Sequence, residues 1–235
     1  MSGEIDIAMV TWPNHPVRWA AFQATVAALK QHLAPTLTFH WSCSSESQRD
    51  PKYPWYGEQL KAFCDREHIN LAFREGPAGL GENHNAAMKM GSAEYVLLVQ
   101  DDWQLMEPLD LLPGLRLLAA NPEIDLVRYN WPRGLNNTTG QYRTRLAIQP
   151  NGWRRFMPDS GWSYGDSPHL RRRSFMDKWG WYREGLPRLA AEGEMVHRLR
   201  RGGAHVVVAD KIYFGHSSPL LSSVIDDIRP QGKYR

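Results

Sequence analysis

Two adjacent carboxylates, Asp101 and Asp102, close a run of apolar β-formers, Tyr95 to Val99, within the stretch EYVLLVQDDWQL (Glu94 to Leu105). The run suffices for one strand buried on both faces, as in a parallel sheet. Paired carboxylates at the end of such a strand repel each other and lose hydration, so a cationic partner is expected beside them. The C-terminal edge of a parallel sheet is also where ligands of open α/β folds bind. A divalent metal carrying a phosphorylated ligand meets both conditions. The competing reading is a solvated acidic turn after a strand, with Asp101 as a cap.

The elements that must position this pair can be read on either side of it. Ile5 to Thr11 reads as a buried strand, followed by a proline-bearing loop (Trp12-Pro13-Asn14-His15-Pro16) and a helix from Val17 to Leu33 with apolar spacing at Trp19, Phe22, Val26 and Leu29. Thr36 to Trp41 is a second strand, and Ser42-Cys43-Ser44-Ser45-Glu46-Ser47 reads as a polar loop. A helix over Tyr56 to Glu67, a short strand over Ile69 to Phe73, and a helix from Glu82 to Met90 lead into the strand before the Asp pair. Strands alternating with helices in this way predict βαβ units and a parallel sheet. The turn Gly76-Pro77-Ala78-Gly79-Leu80-Gly81 carries neither a GxGxxG nor a GxxxxGK[ST] fingerprint, so neither a dinucleotide site nor a P-loop is supported.

Beyond the pair, Leu109 to Ala120 reads as a helix and Ile124 to Tyr129 as a strand. From Asn130 to Ser167 the chain is rich in Gly, Pro, Asn, Trp and Arg, which predicts an irregular, mixed-sheet extension with a strand-like piece at Thr144 to Gln149. A helical turn over Ser174 to Trp179, a helix from Leu186 to Arg201, a strand over Ala204 to Ala209 and an extended piece over Ile212 to His216 complete the pattern. The tail from Ser217 is polar and is expected to be mobile or to close over the site.

The chain has 235 residues, a net charge of +3, 42% apolar and 23% charged residues, as expected of one large α/β domain. Its ten Trp are unusual; most are expected in the core, some as stacking platforms. The clusters Arg171-Arg172-Arg173 and Arg198, Arg200, Arg201 read mainly as solvated helix faces, with phosphate, an anionic acceptor or a membrane surface as the other option. Cys43 and Cys64 show neither metal nor disulfide spacing; Met1 to Asp6 is polar and acidic; no apolar run approaches transmembrane length. These features predict a cytoplasmic protein for which peripheral membrane docking stays open.

With these elements in order, the chain resembles the GT-A-fold, family-2-type nucleotide-sugar glycosyltransferases. IAMVTWPNHPVRW resembles that family's first strand and loop, and GLGENHNAAMKMGSAEYVLLVQDDW its glycine turn, asparagine-bearing helix and strand ending in an Asp-x-Asp-type motif. AEGEMVHRLRRGGAHV resembles its acidic helix start, Arg-Leu pair and closing glycine, and YFGH supplies a late histidine. The resemblance spans residues 5 to 216. It implies a single GT-A (Rossmann-like) domain: a mostly parallel sheet flanked by helices, a nucleotide-sugar half at 5–129, a smaller mixed-sheet acceptor half at 130–216, and a tail at 217–235.

The resemblance also implies roles. Asp102 is the metal carboxylate, with His216 completing the coordination of Mn2+ or Mg2+; histidine leans towards manganese. Asp101 falls nearer the ribose or the metal's outer ligands. Aligning Arg198-Leu199 on the family's Arg-Leu puts Glu192 at the catalytic base, with Ala191 where the family has Glu and Glu194 as the neighbour a small register shift would promote. The bland reading of both acids is a first helical turn favoured by the helix dipole. Thr11 and Trp12 lie beside the base, Arg18 near the phosphates, and Asn83 and Asn85 on the helix that faces the donor. The family's Asp after the second strand is absent, with Glu46 as its substitute. The base therefore stays open among uridine, guanosine and thymidine, with a UDP-sugar as the expected donor. The acid motif is Gln100-Asp101-Asp102 rather than Asp-x-Asp.

The implied reaction is inverting transfer of a sugar to a hydroxyl of a sugar, lipid-linked, nucleic-acid or other acceptor. One alternative is a nucleotidyltransferase, although the first loop lacks the glycines of that class. The other is a non-catalytic carbohydrate-binding protein using Trp12, Trp103, Trp131, Trp153, Trp162, Trp179 and Trp181, which leaves the Asp pair, Glu192 and His216 without a task.

Overall fold

The computed structural model describes residues 3–12, 15–47, 55–76, 79–130, 146–148, 153–156, 165–186, 188–209 and 211–216. Trp131, Trp162, Tyr164 and the tail from Ser217 lie outside the described residues, as does the His216 side chain.

The first half follows the alternation of its sequence: β1 (Glu4–Val10), α1 (Pro16–His32), β2 (Thr38–Ser47), α2 (Tyr56–Glu67), β3 (Asn70–Glu75), α3 (Leu80–Lys89) and β4 (Tyr95–Gln100). Then come β5 (Trp103–Leu105), α4 (Leu112–Ala120), β6 (Ile124–Arg128), β7 (Leu146–Ile148), β8 (Arg154–Phe156), β9 (His169–Arg172), α5 (Phe175–Trp179), α6 (Arg188–Arg201), β10 (His205–Val208) and β11 (Phe214–His216). Among the described residues, nine strands form one sheet in the order β3-β2-β1-β4-β9-β6-β10-β8-β7. β3, β2, β1 and β4 are parallel; β9 enters antiparallel between β4 and β6, and β10 is again parallel to β6. The sheet is mostly parallel and flanked by helices, with its mixed part in the second half, as expected.

Helices cover both faces, which is why β1 and β4 are near-continuous apolar runs. Ile5, Ile7, Met9, Leu97 and Val99 face one core with Phe22 and Leu29 of α1, Leu60 of α2 and Leu118 of α4. Ala8, Val10, Val96 and Leu98 face the other with Met88 of α3, Phe175 of α5, and Met195 and Leu199 of α6. Trp19, Trp41, Trp55, Trp103 and Trp153 pack against the first core and Trp179 against the second, so these six tryptophans serve packing. α1 starts on Pro16, whose fixed φ suits a first helical position, with His15 Nδ1 accepting from Val17 N at 3.2 Å.

Three expectations need correction. The serine-rich run after Trp41 is strand, pairing Ser42 to Ser47 with Asn70 to Glu75. Its small hydroxyls are satisfied inside the fold: Ser42 Oγ donates to the carbonyls of Ile7 and Ala87, both at 3.2 Å, and Ser44 Oγ to Asn83 Oδ1 at 3.1 Å. Arg171 to Arg173 do not form a solvated helix face. Arg171 and Arg172 belong to the central strand β9; Arg171 is fully buried, its guanidinium 4.6 Å over the Phe175 ring. Arg172 donates to the Ile124, Leu118 and Asn121 carbonyls around the end of α4, and Arg173 pairs with buried Asp6. Arg198, too, is held by Glu194 and by the carbonyls of Trp179 and Trp181 at 2.8 and 2.9 Å.

β5 and β11 form a separate antiparallel ribbon in which His216 stands opposite Trp103. Among the described residues, no helix is long and apolar enough to cross a membrane.

Candidate active site

The register fixes which residues meet. Val10 pairs with Ser44 on one side and Gln100 on the other, so Thr11, Ser45-Glu46 and Asp101-Asp102 emerge side by side at the C-terminal edge of the sheet. The helix before a parallel strand runs against it, so the N-terminal parts of α1, α3 and α6 reach the same edge. The residue just ahead of β9, an antiparallel strand, lies there too.

Asp101 is consumed by its own protein. Its Oδ2 accepts from Thr11 Oγ1 at 2.9 Å and from the Trp12 amide at 3.0 Å; its Oδ1 pairs with Arg18 Nη2 at 2.6 Å, the two side chains only 4% and 3% exposed. Thr25 Oγ1 donates to its carbonyl at 3.0 Å. Burial alone would lower the Arg18 pKa, but the charges of Asp101 and then Asp102 outweigh it and raise it above the ordinary value. The expected cation beside the Asp pair is therefore Arg18. It ties the first-strand loop to the end of β4.

Asp102 is also buried, next to the β5–β11 ribbon. The ribbon register places the His216 backbone one position along, opposite Trp103. Asp102 immediately precedes β5 and His216 is the last residue of β11; a carboxylate oxygen is a ligand type that suits Mn2+ or Mg2+, and a histidine leans towards manganese. Among the described residues, no group of three or more His, Cys, Asp or Glu could hold a metal ion by itself. A cation at Asp102 would take its remaining ligands from a phosphorylated ligand and water, the manner in which small divalent cations usually bind.

At the end of β2, Glu46 is buried, and Asn83 Nδ2 lies 3.5 Å from its Oε2. Asn85, two residues on, turns to the second half of the chain. Its Nδ2 donates to the Tyr182 carbonyl and to Glu184 Oε1, both at 2.9 Å, and its Oδ1 accepts from the Tyr182 amide at 3.1 Å. It clamps a backbone segment.

Glu192 lies in the second turn of α6, half-buried, its Oε1 accepting from the Asp166 amide at 3.1 Å. Burial raises its pKa, and the charge of Asp166 adds to that; the Asp166 amide, His84 and Arg128 act the other way without cancelling it. Residues two apart on a helix point roughly 200° apart. Glu194 accordingly faces elsewhere, 30% exposed and paired with Arg198.

Asp166, His84 and Tyr182 are the residues that sequence reasoning missed. The Tyr182 hydroxyl donates to Asp166 Oδ1 at 2.6 Å, and His84 Nε2 lies 3.3 Å from Asp166 Oδ2. The His84 ring stacks on Tyr182 with centroids 4.6 Å apart and 12° between planes. Burial alone would push Asp166 up, but His84, Tyr182 and His169 hold it below the ordinary carboxylate range. His169 is pushed well down by burial and by Arg171, its Nδ1 donating to the Ser167 carbonyl at 2.8 Å. Two carboxylates at one sheet edge thus have proton affinities displaced in opposite directions, a pattern that separates a proton acceptor from a fixed charge.

Neither a protein-family model nor a curated protein matches the chain. Solved structures of glycosyltransferases do. TarS of S. aureus, as its 1–349 structure, is 15% identical over 94% of this chain and 63% of its own, with a TM-score of 0.57. GalNAc-T7 with UDP, GalNAc and Mn2+ is 12% identical over 91% of this chain and 43% of its own, TM-score 0.65. The mannosyltransferase PcManGT from Pyrobaculum calidifontis, in complex with GDP-Man and Mn2+, is 13% identical over 88% and 56%, TM-score 0.57. The chain has the GT-A-type glycosyltransferase fold. It spans 43% to 63% of the length of these three proteins.

Proposed function

We propose that the protein is an inverting, metal-dependent glycosyltransferase that moves a sugar from a nucleotide-diphosphate donor to an acceptor hydroxyl. The observation that carries this reading is Glu192: a carboxylate with raised proton affinity, fixed at the same edge of a GT-A-type sheet as the Asp101–Asp102 pair. Uridine is the expected base, with Glu46 to accept from a base N–H, and the acceptor is a ring-bearing alcohol that Trp181, 39% exposed, can stack upon.

Each residue has a task in this mechanism. Asp101 holds Thr11, Trp12 and Arg18 in place through three hydrogen bonds, shaping the wall against which the nucleoside lies. Asp102 and His216 would hold the divalent cation, which would supply positive charge to offset that of the departing diphosphate. Glu192 takes the proton of the acceptor hydroxyl as that oxygen bonds to the anomeric carbon and the diphosphate leaves from the opposite face. A raised proton affinity makes Glu192 a stronger base than an ordinary glutamate. Glu194, turned away and paired with Arg198, has no part in the transfer.

The test is release of UDP or GDP from a panel of nucleotide-sugars by Glu192→Gln, with nucleotide binding measured alongside. Turnover lost with binding retained is the expected result. Retained turnover in that variant, with loss in Glu194→Gln, overturns the assignment.

A further inference from the structure

Beneath Glu192 lies a set of buried polar side chains that a donor site at Asp101–Asp102 does not use. They come from three places far apart in the chain: His84 from α3, Tyr182 from the segment before α6, and Asp166 from the approach to β9. All three are buried, His84 completely. They converge on one carboxylate, whose backbone amide in turn is bonded to Glu192.

The arrangement is rigid by construction. Asn85 holds both the amide and the carbonyl of Tyr182, which sets the ring stacked on His84. Gly81 lets α3 approach this segment, since a Cβ there would lie 2.6 Å from the Arg183 carbonyl oxygen. Moving the Asp166 side chain would break its hydrogen bond to Tyr182 and its 3.3 Å contact with His84. Burying an imidazole and a carboxylate together gains little stability over apolar side chains of equal volume. A role beyond stability is the better account of why this pair sits on the residue whose amide bonds Glu192.

We propose that Asp166 is the positioning residue for Glu192: its amide aims the Glu192 carboxylate, and its side chain, tied to His84 and Tyr182, sets a fixed negative charge behind it. The inference rests on the reading of Glu192 as the general base. The charged groups that act on Glu192 from the elements packed around it are Asp166, His84 on α3 and Arg128 on β6; His169 and Arg171 on β9, with Tyr182, stand behind them. Asp166 favours the protonated form of Glu192, whereas His84 and Arg128 favour the ionised form. The cluster thus balances two opposed influences on one proton.

Opposed influences give a test that a purely structural role would not pass. With the chain labelled at its glutamate side-chain carboxyl carbons, the Glu192 signal is assigned by its loss in Glu192→Gln and titrated by NMR. In the intact protein its midpoint lies above the ordinary glutamate value of about 4.3. Asp166→Asn, which keeps the shape and the amide, shifts that midpoint to lower pH. His84→Gln, which removes the imidazole that favours the ionised form of Glu192, shifts it to higher pH. Midpoints that stay put, or that move in the same direction, overturn the proposal. If Asp166→Asn fails to fold, the sign of the His84→Gln shift decides alone, a downward or absent shift refuting it. The readout is a proton equilibrium, so its failure is distinct from failure of the general-base reading, which Glu192→Gln turnover decides.

Discussion

Replacing Asp101 by Asn tests whether the Asp pair is organised through Arg18. The change keeps the side chain's shape and removes only its charge and one acceptor. It leaves a guanidinium that is 3% exposed facing an amide where it had a carboxylate oxygen at 2.6 Å. Breaking a buried ion pair by removing one partner costs about 3–5 kcal/mol, because the remaining charge stays desolvated. Asp102 still faces Arg18, which places the expected loss near the lower end, about 3 kcal/mol. For a chain of this size each kcal/mol moves the melting temperature by about 2–4 °C, so a fall of roughly 6–12 °C is expected. Arg18→Met destabilises in the same range, since it leaves Asp101 and Asp102 facing each other without their cation. The double variant is the informative measurement. With both partners gone, the combined loss falls short of the sum by about 2 kcal/mol or more in urea unfolding, the signature of a directly coupled pair. Single variants within about 1 kcal/mol of the parent, or an additive double, would refute the claim that Arg18 compensates this carboxylate pair.

The second half of the site gives further expected outcomes. Because the Glu192 pKa is raised in the folded protein, its base form is lost as pH falls through a value above the ordinary glutamate range; the acidic limb of the activity profile should sit there. The same shift means that ionised Glu192 destabilises the fold at neutral pH, so Glu192→Gln should raise the melting temperature at pH 7 but not at about pH 4; equal melting temperature changes at both pH values would contradict the assignment. Asn85→Ala strands the buried amide and carbonyl of Tyr182 and should cost about 2–4 kcal/mol, measured by urea unfolding, with the Glu192 titration disturbed through Tyr182. A loss below about 1 kcal/mol would show that Asn85 does not clamp this segment.

The first half of the fold was legible because local pattern and tertiary role agree there: the apolar run of β4 is buried on both faces, and Phe22, Val26 and Leu29 of α1 do face the core. Where the two disagree, the sequence misleads. The serines of β2 read as a loop by composition, yet each of Ser42, Ser44 and Ser45 finds a partner on another element, so a polar run can form a strand paired on both sides. β9 is hidden by its arginines, whose partners are the Phe175 ring for Arg171 and distant carbonyls for Arg172. The Asp pair, Glu192 and His216 could be singled out as candidates through motif order. Their division of labour could not: that Asp101 is taken up by Thr11, Trp12 and Arg18 depends on strand register. The His84–Asp166–Tyr182 set carried no sequence signal at all, since isolated His, Asp and Tyr residues gain meaning only when three distant segments meet. Glu192 and Glu194 were separable only by the direction each takes from α6.

The central claim is a nucleotide-diphosphate site at the sheet edge whose cation is held by Asp102. It is tested most directly by the melting temperature of the chain with UDP, GDP or dTDP, each with and without Mn2+, beside the same series for Asp102→Asn. A ligand that binds only the folded chain raises its melting temperature by mass action. One of these nucleotides, UDP first, is expected to stabilise the parent protein only when Mn2+ is present, and Asp102→Asn to abolish the manganese dependence. No stabilisation by any of the three with the metal present, or an undiminished manganese effect in Asp102→Asn, would contradict the claim.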